Sequence, residues 1–324
     1  MRMRLSISWR LGLLGLLAGL CGILQVARAQ SHVAFVHERD VTAQVGQVVP
    51  RWSGNALVGI DNNRSKTPLV YAIDREGRRE AFDVDLPGGE MIDVFDAAGG
   101  YDGALAVSAY AGSEDGHGEY FLIWISPDRQ RRTVTKVSPY VPQVVTIAGD
   151  GTIWTIGARR NEARDAAKAN ILKRYSTDGK ELTSYSVRAR SRPNIAPDAV
   201  SMSYLMASPD RVAWLTNGCE YIAFSLDGKE VERFDGPPGV DIKHVSGFAV
   251  DARNDVFLGK KGDHTFEVLT LNRSSHAWET VSVTGTPPPR WARIHGFDGT
   301  TLVLVEQWGT MRRYTRALGE AAAQ

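Results

Sequence analysis

Short apolar runs of four to seven residues recur along the chain after residue 32, and they lack the period of a long amphipathic helix. The runs are rich in Val, Ile, Leu, Trp, Phe and Tyr and are separated by Gly, Asp, Asn, Ser and Pro. This pattern predicts many short β-strands joined by turns. The one helix-favouring stretch, 161–169, lies between two of the runs.

The runs are organised as a repeat of about 50 residues. Each repeat contains a strand, a turn with Asp or Gly at its tip, and a second strand. The last apolar residues before these turns are Ile73, Ile125, Tyr175, Phe224 and Leu271, and Tyr314 continues the series. A second family of turns, such as Gly149-Asp150-Gly151, alternates with the first and leads into strands that are apolar on both faces. About four strands fit each repeat, which is the size of a propeller blade.

Six such units fit, and the last lacks its fourth strand. The N-terminal run Val33–His37 is a spare strand, and we predict that it pairs with Met311–Thr315 and closes the ring. An open ring would expose a long apolar strand edge. The expected domain is therefore an all-β, six-bladed propeller of four-stranded antiparallel blades over 30–317, followed by a flexible C-terminal tail at 318–324.

The turns also carry a family resemblance. Two turns share an aromatic residue, two intervening residues and then Asp-Gly-Lys. They are Tyr175-Ser176-Thr177-Asp178-Gly179-Lys180 and Phe224-Ser225-Leu226-Asp227-Gly228-Lys229. In these turns the chain resembles the six-bladed NHL-repeat/TolB-like propeller superfamily, over residues from about 33 to 317. The resemblance implies the fold. It says little about function, because that superfamily includes both binding proteins and enzymes.

The first 29 residues have the layout of a secretory signal peptide. Arg2, Arg4 and Arg10 precede an apolar run at 11–26, and Ala27-Arg28-Ala29 supplies small residues at a cleavage site. The run is shorter than the roughly 20 residues of a membrane span. We therefore expect a periplasmic or secreted protein that begins near Gln30. Retention of the segment as an anchor stays open as the alternative.

Charge and cysteine content limit the partners. The whole chain has 38 basic and 37 acidic residues, and four of the basic residues lie within 1–29. The remainder has no basic stripe, so we expect no nucleic-acid partner. The sequence after residue 29 has no further apolar run long enough to span a membrane. We also expect the protein to be a monomer. Cys219 is the only cysteine after residue 29, which excludes an intramolecular disulfide. Beside Gly218, it is more typical of a packing residue than of a nucleophile.

The candidate binding residues lie on one face of the predicted ring. With the first strand of each blade innermost, the links between blades and the second-to-third-strand turns share a face, and these loops are the long ones. An aromatic ring with a guanidinium at a channel mouth can hold a flat or anionic ligand, although blade packing by Trp explains the same residues. The candidates are Arg51, Trp52, Asp93, Asp96, Glu162, Arg192, Asp241, His244, Trp291, Arg293 and His295.

One acidic loop and two histidines are further candidates for a metal or substrate site. The acidic loop 113–119 could bind a cation, but a solvated loop is the simpler interpretation. Along their strands, His244 and His295 are expected about 13 Å apart in depth, too far to share one zinc ion. No Gly-x-Ser-x-Gly elbow and no phosphate-binding glycine loop is present in the sequence.

The sequence therefore predicts an exported, non-catalytic propeller that binds a protein or a small-molecule ligand and carries no cofactor or metal. The alternative is a small-molecule hydrolase or lyase, similar to a lactonase, with its site at the mouth of the central channel. That alternative requires charged residues to converge at one channel mouth.

Overall fold

The protein is represented by a computed structural model. The structure describes residues 33–42, 51–54, 56–61, 67–88, 90–113, 117–159, 171–186, 203–306 and 310–317. The predicted signal segment, the predicted helix at 161–169, the candidates Glu162 and Arg192, and the predicted tail at 318–324 lie outside these ranges.

The described strands form six sheets in chain order, which confirms the six-bladed β-propeller. An N-terminal strand, β1 (Ala34–Thr42), precedes the first blade. The first blade contains β2 (Arg51–Ser53), β3 (Ala56–Asp61), β4 (Leu69–Ile73) and β5 (Arg79–Asp83). The second contains β6 (Met91–Gly99), β7 (Leu105–Gly112), β8 (Gly118–Ile125) and β9 (Arg132–Lys136). The third contains β10 (Tyr140–Ile147), β11 (Ile153–Arg159), β12 (Ile171–Tyr175) and β13 (Glu181–Ser186).

The remaining blades follow the same antiparallel order. The fourth contains β14 (Tyr204–Ala207), β15 (Arg211–Leu215), β16 (Tyr221–Ser225) and β17 (Glu230–Phe234). The fifth contains β18 (Val245–Val250), β19 (Val256–Lys261), β20 (Phe266–Asn272) and β21 (Ala277–Thr280). A short strand, β22 (Ser282–Thr284), precedes the sixth blade, which contains β23 (Arg293–Asp298), β24 (Thr301–Val305) and β25 (Thr310–Arg316).

The sixth sheet has the order β22-β1-β25-β24-β23. β1 pairs antiparallel with β25, for example Val36 with Thr315, so the N-terminal strand lies beside the strand that the sequence analysis assigned to it. The sheet differs from the four-stranded prediction because β22 adds a fifth, parallel strand on the far side of β1. This addition hydrogen-bonds part of an edge that β1 would otherwise expose.

Apolar side chains fill the spaces between neighbouring blades, as the two-sided burial of the middle strands requires. Val58 of the first blade packs with Leu105 of the second, and Trp154 of the third packs with Trp214 of the fourth. Between the fifth and sixth blades, the rings of Phe257 and Phe297 lie 5.0 Å apart between centroids. The first strands β2, β6, β10, β14, β18 and β23 contact one another in order around the axis.

The turns that recur in the sequence repeat are stabilised by hydrogen bonds between their own side chains. In the turns between third and fourth strands, the Ser hydroxyl donates a hydrogen bond to the Asp carboxylate two residues later, at Ser126, Ser176 and Ser225. Gly179 and Gly228 take positive φ in the same turns. These bonds explain why the motif recurs.

In the described residues, no helix has the length and apolar character needed to span a membrane.

Candidate functional site

The Arg51 side chain extends across the propeller axis. Arg51 lies on β2 of the first blade, and its Nη1 donates a hydrogen bond of 2.9 Å to the carbonyl oxygen of Leu205 on β14. Its Nη2 donates to the carbonyl oxygen of Val145 on β10, at 2.8 Å, and to that of Ala97 on β6, at 3.2 Å. The fourth blade stands opposite the first in a ring of six. One guanidinium therefore links four blades at the axis.

The Asp96 carboxylate completes this axial group. Its Oδ2 accepts hydrogen bonds from Arg51 Nη2 at 2.5 Å and from the backbone N–H of Val145 at 2.7 Å. Only 12% of the Arg51 side chain and 19% of the Asp96 side chain are exposed. Burial raises the pKa of the Asp96 carboxyl, while Arg51 and the N–H groups of Val145 and Ala97 oppose that rise. Two candidates from the sequence do meet at the axis, and they bind each other.

A second group of candidates lies where the fifth and sixth blades begin. The Ser246 hydroxyl on β18 donates to the carbonyl oxygen of Ala292 at 2.9 Å, so the starts of β18 and β23 lie at the same level. Val245 pairs with Lys260, which places His244 opposite Lys261. This geometry brings together residues from the link before each of the two strands.

Trp291 is the centre of this second group. Its side chain is 49% exposed. The Lys261 Nζ lies 4.7 Å from the ring centroid, and the Arg290 guanidinium lies 4.5 Å from it. Both cations are within the range of cation–π attraction. His244 is exposed, and so is Arg293, two residues after Trp291 in the chain. We call the surface formed by His244, Lys261, Arg290, Trp291 and Arg293 the aromatic–basic patch.

Arg293 acts electrostatically on the fourth blade. The Tyr204 hydroxyl on β14 contacts the carbonyl oxygen of Val245, at 3.5 Å. Burial raises the pKa of Tyr204, and the positive charge of Arg293 opposes this rise.

Trp52 has a different environment from Trp291, although each follows an Arg in the sequence. Trp52 is buried and packs with Tyr71 and Met311 between the first and sixth blades. A Cβ added to Gly296 would lie 2.3 Å from the Trp52 carbonyl oxygen, which places Trp52 at the level of Gly296. Trp291 precedes Gly296 by five residues, and the two Trp residues therefore lie at different levels of the blades.

The remaining described candidates are Asp93, Asp241 and His295. Asp93 is half-buried on β6 opposite Tyr110. Asp241 begins a one-turn 3-10 helix at Ile242–His244, and its carboxylate accepts from the Lys243 N–H at 3.3 Å. His295 is buried and His244 is exposed. Within the described ranges, no group of three or more His, Cys, Asp or Glu side chains could hold a metal ion.

Two groups with contacts between blades were not among the sequence candidates. Lys261 was absent from the candidates, although it ends a strongly apolar strand on the long-loop face. The Tyr101 hydroxyl, on the opposite face, donates to the carbonyl oxygen of Ala207 at 3.1 Å and so spans from the second blade to the fourth. Burial, with the charges of Asp251 and Asp210, raises the pKa of Tyr101 to about 12. A backbone carbonyl partner leaves no signal in a sequence.

Comparisons with known proteins bear on the fold alone. No family model and no curated protein matches the chain. Among solved structures, virginiamycin B lyase from Staphylococcus aureus aligns with a TM-score of 0.47 at 12% identity, covering 86% of this chain and 98% of that one. A structure of BBS1N in complex with ARL6DN aligns with a TM-score of 0.48 at 14% identity, covering 89% and 98%. Neither similarity is close enough to carry an argument about function.

Proposed function

We propose that this chain is an exported, non-catalytic β-propeller scaffold that binds an acidic segment of a partner protein on the aromatic–basic patch. The observation that carries the proposal is the half-exposed Trp291 ring with Lys261 and Arg290 over it. Exposed Trp and Arg side chains are enriched among residues that dominate protein–protein binding energy. The proposed site uses residues that the sequence assigns to the long-loop face, including Trp291 and Arg293.

The charge of the patch selects the kind of partner. Lys261, Arg290 and Arg293 supply three cations around Trp291, whereas the nearby Asp241 carboxylate already lies 3.6 Å from the Lys243 Nζ. A segment with carboxylates and an apolar side chain matches this arrangement, since its carboxylates meet the cations and its apolar group covers the indole. Complementary charge of this kind favours both specificity and fast association.

The enzyme alternative is less well supported by the axial geometry. A hydrolase or lyase at the channel mouth needs charged groups that face a substrate. Arg51 and Asp96, the two candidates nearest the axis, instead donate and accept hydrogen bonds within the ring. The patch presents exposed groups to solvent, and we therefore place recognition there.

Peptide binding tests this proposal. The probe is a fluorescein-labelled peptide of alternating Glu and Leu, and the comparison peptide alternates Lys and Leu. We expect saturable binding of the acidic peptide alone by fluorescence anisotropy. In Trp291→Ala and Lys261→Glu, we expect binding to weaken at least tenfold, which corresponds to about 1.4 kcal/mol.

Matched controls separate the patch from general effects. Leu182→Ala removes an exposed apolar side chain elsewhere, and Lys229→Glu reverses an exposed charge on a turn of the fourth blade. Both controls should bind as the unaltered protein does. Equal binding by Trp291→Ala and the unaltered protein, or equal binding of the two peptides, would contradict the proposed site.

Export is tested separately on the full chain expressed in a bacterium with a periplasm. We expect N-terminal sequencing of the periplasmic or culture-medium protein to begin at Gln30, since Ala27-Arg28-Ala29 offers the cleavage site. Recovery of the intact chain, starting at Met1, from the membrane fraction would support the anchor alternative instead.

A further inference from the structure

A cleft between the second and third blades is a second candidate binding site, away from the axis. Its volume is about 330 Å³. Residues 135–140 form one wall, and β12 and β13 of the third blade contribute the other, with Lys173, Tyr175 and Glu181. Small-molecule sites have volumes that begin near this size. We call this space the interblade cleft.

Lys173 is a nearly buried cation in the interblade cleft. The residue is 9% exposed, and its Nζ lies 2.6 Å from the Glu181 carboxylate and 4.8 Å from the centroid of the Tyr140 ring. The Tyr140 hydroxyl contacts Thr155 Oγ1 and the carbonyl oxygen of Ile171. An ammonium group has three donors, and the Glu181 contact uses one of them. The ammonium is therefore placed to donate to a further acceptor.

Positive charge and apolar surface coexist in this cleft. Among the described residues, Lys136 and Arg159 add cations to Lys173, while the acidic side chains are Glu181, on the lining, and Glu119, which pairs with Lys136 at 2.6 Å. The Glu181 side chain is 43% exposed, so water stabilises it partly and its hold on Lys173 is weakened. Val137, Pro139 and the Tyr175 ring supply apolar wall.

We infer that the interblade cleft binds a small organic carboxylate. The carboxylate accepts a hydrogen bond from the Lys173 ammonium, with Lys136 at the rim, and the organic body covers the apolar wall. Such a ligand satisfies a nearly buried cation better than the half-exposed Glu181 does. This inference is independent of the proposed partner, because none of the patch residues lines the cleft.

Isothermal titration calorimetry with sodium benzoate tests this site on the protein that starts at Gln30. Acetate and inorganic phosphate are the comparison probes. We expect saturable benzoate binding, weaker acetate binding and no saturable phosphate binding, because the cleft supplies both cation and apolar wall. Lys173→Met should abolish benzoate binding, and Lys136→Gln at the exposed rim should weaken it about threefold.

Two more variants sharpen the result. Glu181→Gln should strengthen benzoate binding severalfold, since it removes the carboxylate that competes for Lys173. Lys229→Gln, at an exposed lysine that also pairs with a carboxylate, should leave it unchanged. Lys136→Gln keeps the test valid if Lys173→Met fails to fold. Absence of benzoate binding, saturable binding of phosphate alone, or unchanged binding in Lys136→Gln and Glu181→Gln would overturn the inference.

Discussion

The axis and the aromatic–basic patch each contain an Arg beside a Trp in the sequence, yet the two regions use these residues in opposite ways. Arg51 and Trp52 are held inside the ring, one by hydrogen bonds across the axis and one by packing between blades. Arg290 and Trp291 are exposed. The difference follows from position along the strand, since Trp52 lies just before its turn and Trp291 lies before its strand begins. Depth in the blade, rather than residue type, determines whether such a pair is structural or available to a partner.

Substitution of Arg51 should have the largest effect on the stability of the protein. Arg51→Met removes the guanidinium from the Asp96 carboxylate, which keeps the backbone N–H groups of Val145 and Ala97 as donors in a mostly buried site. We expect the free energy of unfolding, measured by urea denaturation, to fall by about 3 kcal/mol, the usual cost of breaking a buried ion pair. Arg293→Met, at an exposed arginine of the patch, should change it by less than about 0.5 kcal/mol. Equal stability of the two variants would show that Arg51 is not a structural link.

A substitution at Gly296 tests whether Trp52 lies at the same level of the propeller as Gly296. A Cβ at this position would lie 2.3 Å from the Trp52 carbonyl oxygen, and the φ of 139° also disfavours a side chain. We expect Gly296→Ala to lower the free energy of unfolding by about 2 kcal/mol. Gly299→Ala has positive φ with no atom within 4 Å, so it should cost about 1 kcal/mol. If Gly296→Ala cost no more than Gly299→Ala, the close approach of the first and sixth blades would be wrong.

The Asp96 carboxyl gives the stability of the axial group a dependence on pH. Burial raises its pKa in the folded protein. The stability contributed by this carboxyl is therefore complete below its ordinary pKa and is lost as pH rises through the folded value. Between pH 4 and pH 7, the unaltered protein should lose stability relative to Asp96→Asn, as measured by urea denaturation at each pH. Parallel stability profiles for the two proteins would contradict the shift.

Much of the fold could be predicted from the sequence because its turns are encoded locally. The Ser-x-Asp-Gly motif satisfies its own hydrogen bonds, as at Ser176 and Ser225, so it marks the same position in successive blades. The pairing of β1 with β25 could be predicted because the sixth repeat lacks its fourth strand and the N-terminal run is a spare one. β22 was missed because three residues of a link carry too little pattern to indicate a strand.

The site was less predictable, because its main contacts involve groups without a sequence signature. Arg51 is among the candidates that the sequence places on the long-loop face, but its acceptors include backbone carbonyl oxygens on three other blades. Lys261 reaches Trp291 from a neighbouring blade 30 residues away in the chain. Contacts of this kind depend on the depth at which blades pack, which composition and spacing do not encode.

The most direct test of the account is an NMR titration of the ¹⁵N-labelled protein with the acidic Glu–Leu peptide, observing the indole N–H signals of Trp291 and Trp52 and the Nε–H signal of Arg51. We predict a saturable shift of the Trp291 signal, while the signals of buried Trp52 and axial Arg51 stay fixed. A fixed Trp291 signal, or a shift of Arg51 in its place, would contradict recognition at the patch and move the binding site to the axis.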